Sequence, residues 1–206
     1  MPVSALLTYT LVALVAVVTP GLDTMLMLRH TLLGGRRAGF RALTGINLGC
    51  LVWGTASIAG LTALLAASRI AYDVVRIGGA AYLLWLGGSA LWRSFRHQVP
   101  DAEVIVEPGR GALRAGLVTN LLNPKVGVFY LSLLPQFLPA GSGQAAWGAL
   151  LVFVHVALGW AWMSTVLLLA NQARRFLMRT AVKRWLDRLT ATVLIGLGVR
   201  IATESR

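Results

Sequence analysis

Asp23 and Lys125 each stand just after a proline inside an otherwise apolar stretch. The first setting is Thr19-Pro20-Gly21-Leu22-Asp23-Thr24, and the second is Asn120-Leu121-Leu122-Asn123-Pro124-Lys125. A carboxylate can hold a proton or a cation, and an ammonium can hold an anion. Hydrocarbon tolerates neither a lone charge nor an unpaired backbone group, so both stretches should face a cavity or a protein interior. Interrupted helices in corresponding positions of two halves mark the binding site of a membrane transporter. The spacing therefore predicts a site between the two breaks, built from Thr19, Pro20, Gly21, Asp23, Thr24, Asn123, Pro124 and Lys125.

Each residue also has a purely structural reading. Asp23 could cap the helix that restarts at Thr24, its carboxylate taking up free N–H groups and the helix dipole. That role is compatible with proton or cation binding. A neutral cap would avoid the ~3 kcal/mol or more that a charge costs at mid-membrane depth. Asn123 followed by Pro124 is a sufficient helix start by itself, with Asn at the cap and Pro at the first position. Lys125 is not explained that way, because a cation in the first turn opposes the dipole. It predicts an Asp23–Lys125 pair, or a shared site for a zwitterion with its ammonium near Asp23 and its carboxylate near Lys125. The alternative is a lysine that snorkels to one interface. Asn47 and Asn120 could coordinate a ligand or bridge helices, and Thr119 reads as structural.

The elements that must position these groups follow from composition. The chain has 206 residues, 57% hydrophobic and 13% charged. Soluble domains carry about 25% charged residues, so the pattern is that of an integral membrane protein. Six apolar segments fall at about 4–33, 42–67, 70–92, 113–138, 145–170 and 186–203. The first and fourth carry the breaks at Pro20 and Pro124, so each should be two half-helices. The stretch 4–19 reads as a retained first helix, because no positive residues precede it and no small-residue cleavage site follows.

The net charge is +12, but the basic residues sit between apolar segments, which argues against a nucleic-acid partner. Of the 19 basic residues, fourteen lie in the first, third and fifth connections; four lie in the even connections and the tail. The positive-inside rule makes the odd connections cytoplasmic and both termini periplasmic. Three segments per half makes residues 1–92 and 113–206 inverted repeats, joined by a polar cytoplasmic linker at 93–112. The expected architecture is an all-α membrane protein, one transporter domain of six transmembrane segments.

Other features add little chemistry. Gly45-Gly49 and Gly35-Gly39 are G-x-x-x-G spacings, read first as tight packing within the chain and second as a homodimer contact. His155 could relay protons or simply pack. Cys50 is the single cysteine, so no intrachain disulfide forms. No spacing suits a metal, no G-K-[ST] loop suits ATP, and no cofactor is implied.

The ordered motifs resemble the LysE/RhtB family of bacterial amino-acid exporters. They are Thr19–Thr24, Arg29–Gly39, Gly79–Gly87, Asn120–Lys125 and Phe137–Pro139. The resemblance covers nearly the whole chain. It implies export of amino acids or related zwitterions across the inner membrane, driven by proton antiport, and no enzymatic activity. One departure is Leu22, where the family commonly has a second proline. The competing classes are a channel or scaffold subunit and a lipid-handling membrane protein. Uphill transport would exclude the first, and no nucleophile–base set supports the second.

Overall fold

The computed structural model describes residues 3–67, 111–139, 143–177 and 179–203, with isolated helical positions between 74 and 92. The third predicted segment, 70–92, and the linker, 93–112, therefore lie largely outside the described residues. Among the described residues the chain is all-helical. The elements are α1 (Val3–Val18), α2 (Leu22–Ala67), α3 (Ala112–Leu121), α4 (Pro124–Val128), a π-helical turn (Phe129–Leu133), a 3-10 turn (Leu134–Phe137), α5 (Gln144–Leu168), α6 (Ala170–Leu177) and α7 (Thr180–Thr203).

Two stretches, Leu22–Gly60 and Gln144–Leu168, are long and apolar enough to cross a membrane. A third is added if α3 and Pro124–Phe137, bent by 52°, count as one span. Leu7, Leu11 and Phe153 stand exposed on the outer surface, as do Trp85 and Trp92. Exposed apolar side chains in such number suit a lipid-facing surface.

Both predicted breaks are present, α1 giving way to α2 at residues 19–21 and α3 to α4 at residues 122–123. The first predicted connection is not a loop. Gly35 alone interrupts α2, with φ 75° and ψ 175°, a backbone state that favours glycine. The chain doubles back there. Residues eight apart in a straight helix are about 12 Å apart, yet a Cβ on Gly39 would collide with the Thr31 hydroxyl. The fifth connection is also helical. Arg174 and Arg175 lie on α6, and Lys183, Arg184 and Arg188 on the first turns of α7, with Arg179 just before it; α7 starts at Thr180, earlier than the predicted 186. Arg36 reaches across to the Leu168 carbonyl (3.4 Å), placing a cation at the end of α5 where the dipole is negative.

Glycines set the tightest crossing. A Cβ on Gly45 would strike the Leu113 carbonyl, and one on Gly116 would strike the Ala42 carbonyl. Gly49 is filled by the Asn120 side chain. The predicted Gly45–Gly49 pair is thus occupied by α3 of the same chain, whereas Gly39 is pressed by Thr31 and Leu167 and Gly35 has no neighbour within contact. Gly116→Leu should cost about 3 kcal/mol or more, since backbone cannot yield as a side chain would. Gly60→Leu, with nothing near its added Cβ, should be almost neutral. Thermal unfolding of the two purified proteins checks this; equal midpoints would refute the close crossing.

The turn after α4 has a local cause. Leu134 N–H bonds to the Phe129 carbonyl, five residues back. Pro135 has no N–H to continue that pattern, so the Tyr130 carbonyl loses its partner. The Ser57 hydroxyl donates to it instead, at 2.6 Å. This fixes Phe129 and Tyr130 against α2. The buried core forms two clusters, one around Tyr9, Cys50, Phe129 and Leu151, the other around Met27, Leu43, Ile46 and Met163.

Candidate functional site

At the first break, α1 ends at Val18, and the Thr19 N–H and hydroxyl both donate to the Val15 carbonyl (3.1 and 2.7 Å). Thr19 also meets Thr190 of α7 through a hydroxyl–hydroxyl hydrogen bond. Pro20 has no N–H and cannot extend the helix. The Gly21 carbonyl accepts the Met25 N–H (3.0 Å), so Gly21 takes the cap position and α2 starts at Leu22. The expected cap role of Asp23 is therefore corrected. Asp23 lies inside the first turn, still at the favourable end of the dipole. Glycine suffices at the cap, so the carboxylate is left for other contacts.

At the second break, Asn123 caps α4 as its sequence predicts. Its side-chain oxygen accepts the Lys125 N–H (3.1 Å), and Pro124 opens the helix. Lys125 sends its ammonium away from its own helix. Nζ donates to the carbonyls of Ala16 (2.7 Å) and Thr19 (2.8 Å), at the C-terminal end of α1. Those carbonyls are among the four that a helix end leaves without intrahelical partners, and they form the negative pole of its dipole. This is what offsets a cation in the first turn of α4. Its stem runs past Gly21, where an added Cβ would lie 4.0 Å from Lys125 Cδ.

Asn120, fully buried at the end of α3, donates from Nδ2 to Asp23 Oδ2 (2.8 Å). The same nitrogen lies 3.5 Å from Cys50 Sγ, and the Asn120 carbonyl accepts from Trp53 Nε1 (3.4 Å). The two breaks are thus cross-connected. Lys125, opening α4, holds the end of α1, while Asn120, closing α3, holds Asp23 at the opening of α2. Asp23 Oδ1 has no hydrogen-bond partner among the described residues.

These groups surround one cavity of ≈ 70 Å³. Thr19, Gly21, Asp23, Thr24, Asn47, Asn123 and Lys125 line it, seven of the ten residues predicted from sequence. Pro20, Pro124 and Asn120 do not; the prolines shape the breaks and Asn120 acts through Asp23. Asn47 donates its amide to the Leu43 carbonyl (2.9 Å), which leaves its side-chain oxygen facing Gly159 across the cavity. The cavity lies between the two core clusters, touching Cys50, Val126 and Phe129 of one and Ile46 and Met163 of the other.

On the wall that α5 contributes, sequence reasoning named only His155, as a relay or a packing residue, and missed Gly159 and Met163. His155, Gly159 and Met163 all line the cavity, at four-residue spacing on one helical face. That spacing was the available signal, but it reads as ordinary packing without knowledge of what faces it. His155 is buried between aromatic rings, edge-on to Phe129 (4.3 Å) and stacked on Tyr130 (5.2 Å). No cluster of His, Cys, Asp or Glu among the described residues could hold a metal ion.

The arrangement offers a carboxylate and an ammonium beside the start of α2, in a mostly apolar enclosure. An anion fits helix N-termini, and an amine fits a carboxylate with a free oxygen.

Comparison with known proteins places the chain in a family. The family described as LysE type translocator matches residues 14–205. The chain is 26% identical over 204 residues to the uncharacterized membrane protein YrhP of Bacillus subtilis, covering 95% of this chain and 97% of that one. It is 29% identical to the leucine efflux protein of Klebsiella pneumoniae, over 96% of this chain and 94% of the relative. It is 26% identical to the threonine efflux protein of Escherichia coli K12, over 95% and 96%. No solved structure matches significantly.

Proposed function

This chain belongs to the LysE type translocator family, and on that premise we propose that it exports amino acids by proton antiport. The observation that carries the reading is that Asp23 and Lys125, from opposite breaks, both line one mostly apolar cavity. Relatives named for leucine and threonine efflux support an amino-acid cargo. In this reading the substrate ammonium meets Asp23 Oδ1. Its carboxylate meets Lys125 and the N–H groups that open α2. Asp23 takes a proton from the outer side, releases it to the cytoplasm, and is then free to hold the next ammonium. The two breaks rock against each other as the cavity opens to alternate sides.

The same reading makes the two halves inverted repeats within six spans. It places the chain in the bacterial inner membrane, with both termini periplasmic. The reciprocal contacts between breaks support the first point, and the distribution of basic residues supports the second. Binding tests the site directly. A zwitterionic amino acid should raise the thermal unfolding midpoint of the purified protein, by the linkage of binding to folding. The corresponding amine, lacking the carboxylate, should not. Equal shifts with both ligands would remove Lys125 and the α2 terminus from carboxylate recognition.

A further inference from the structure

Among the described glycines, most have a visible reason. Gly45, Gly49 and Gly116 are pressed by α3 or α2, Gly54 by Val152, and Gly148 by Ile58. Gly35, Gly111 and Gly143 have positive φ. Gly159 has neither reason, as is also true of Gly60, Gly78, Gly88 and Gly196, but of these five only Gly159 lines the cavity. It sits in the interior of α5, where glycine is destabilising relative to alanine. A Cβ added there would meet only Asn47 Oδ1, at 3.7 Å, which is ordinary contact. Neither packing nor backbone conformation requires the glycine.

What that missing side chain leaves is space in the cavity. Gly159 lines it between His155 and Met163, one turn away on either side. This face of α5 offers an imidazole, a bare backbone and a thioether, with no carboxylate or ammonium. It is the wall that a substrate side chain, not its charged head, would meet. The cavity is small: ≈ 70 Å³ is room for about five to seven water-sized bodies. A single methyl on this wall takes a substantial share of it.

We infer that Gly159 is the specificity-determining position of the transporter, setting the largest amino-acid side chain that the cavity admits. The inference rests on the amino-acid export proposed above. It deepens that reading by naming the substrate class as neutral amino acids whose side chains fit against a glycine floor.

The test compares wild type with Gly159→Ala and Gly159→Val in proteoliposomes loaded with labelled alanine or leucine. Thermal midpoints are measured in parallel. Gly159→Ala should raise the alanine-to-leucine ratio of export rates about 10-fold, the low end of what one methylene is worth in an apolar pocket. Gly159→Val should raise it further. The Ala protein should melt no lower than wild type. If wild type exports neither these two substrates nor any other labelled amino acid, the export reading fails and this inference falls with it; if it exports other amino acids but neither of these two, the export reading stands and the same ratio is read on the smallest and largest amino acids it does export. If wild type exports but both rates fall equally in the variants, or neither changes, the export reading stands and Gly159 is not the size determinant.

Discussion

Asp23→Asn protein is expected to bind and exchange its amino acid yet lose export driven by a proton gradient. The substitution is nearly isosteric. An asparagine oxygen can still accept from Asn120 Nδ2, which is 2.8 Å from Asp23 Oδ2 in the native protein. The contact between α3 and the start of α2 therefore survives, as does the first-turn position in α2. What disappears is the group that takes up and releases a proton. Gradient-stimulated efflux should fall about 100-fold or more, which corresponds to about 2.7 kcal/mol of transition-state stabilisation. Exchange of labelled for unlabelled substrate at equal pH, which moves no net proton, should persist. Efflux and exchange measured on the same liposomes separate the two effects. Gradient-driven export equal to wild type would remove the carboxylate from the coupling step.

Lys125→Met should be the other severe change. Methionine keeps most of the apolar stem and discards the ammonium. The carbonyls of Ala16 and Thr19 would each lose a hydrogen bond from a charged donor. Bonds of that kind contribute about 1.5–3 kcal/mol each. One consequence is a lower unfolding midpoint, because the end of α1 is left without its partner. The other is a loss of transport by about 100-fold or more, since the proposed carboxylate contact goes too. The two roles can be told apart by ligand. A structural role alone would weaken binding of an amino acid and of its amide equally. A role in recognition would weaken the amino acid more, and that is the expected outcome.

The sequence announced the two breaks and their charged residues because membrane helices penalise both so strongly. Asn123 and Pro124 were legible as a helix start because capping is local chemistry, and the structure places them so. The helix start at Asp23 was misplaced by two residues of register. Cap preference favours aspartate, but Gly21 satisfies that position and frees the side chain. The partners of Lys125 were not legible at all. The mismatch with its own helix dipole was visible, but the compensating pole belongs to α1, more than a hundred residues away. The doubling back at Gly35 was hidden because one glycine can replace a loop, whereas a run of arginines suggests one. Gly159 was hidden for the opposite reason. A glycine in a membrane helix reads as packing until the structure shows that no neighbour presses closely enough to require it.

Efflux from proteoliposomes preloaded with a panel of labelled amino acids, with and without an inward proton gradient, tests the central claim most directly. Release of one or a few neutral amino acids is expected, accelerated by the gradient and slowed when a protonophore collapses it. Release indifferent to the gradient would contradict proton antiport. No release of any amino acid from folded protein would contradict export itself.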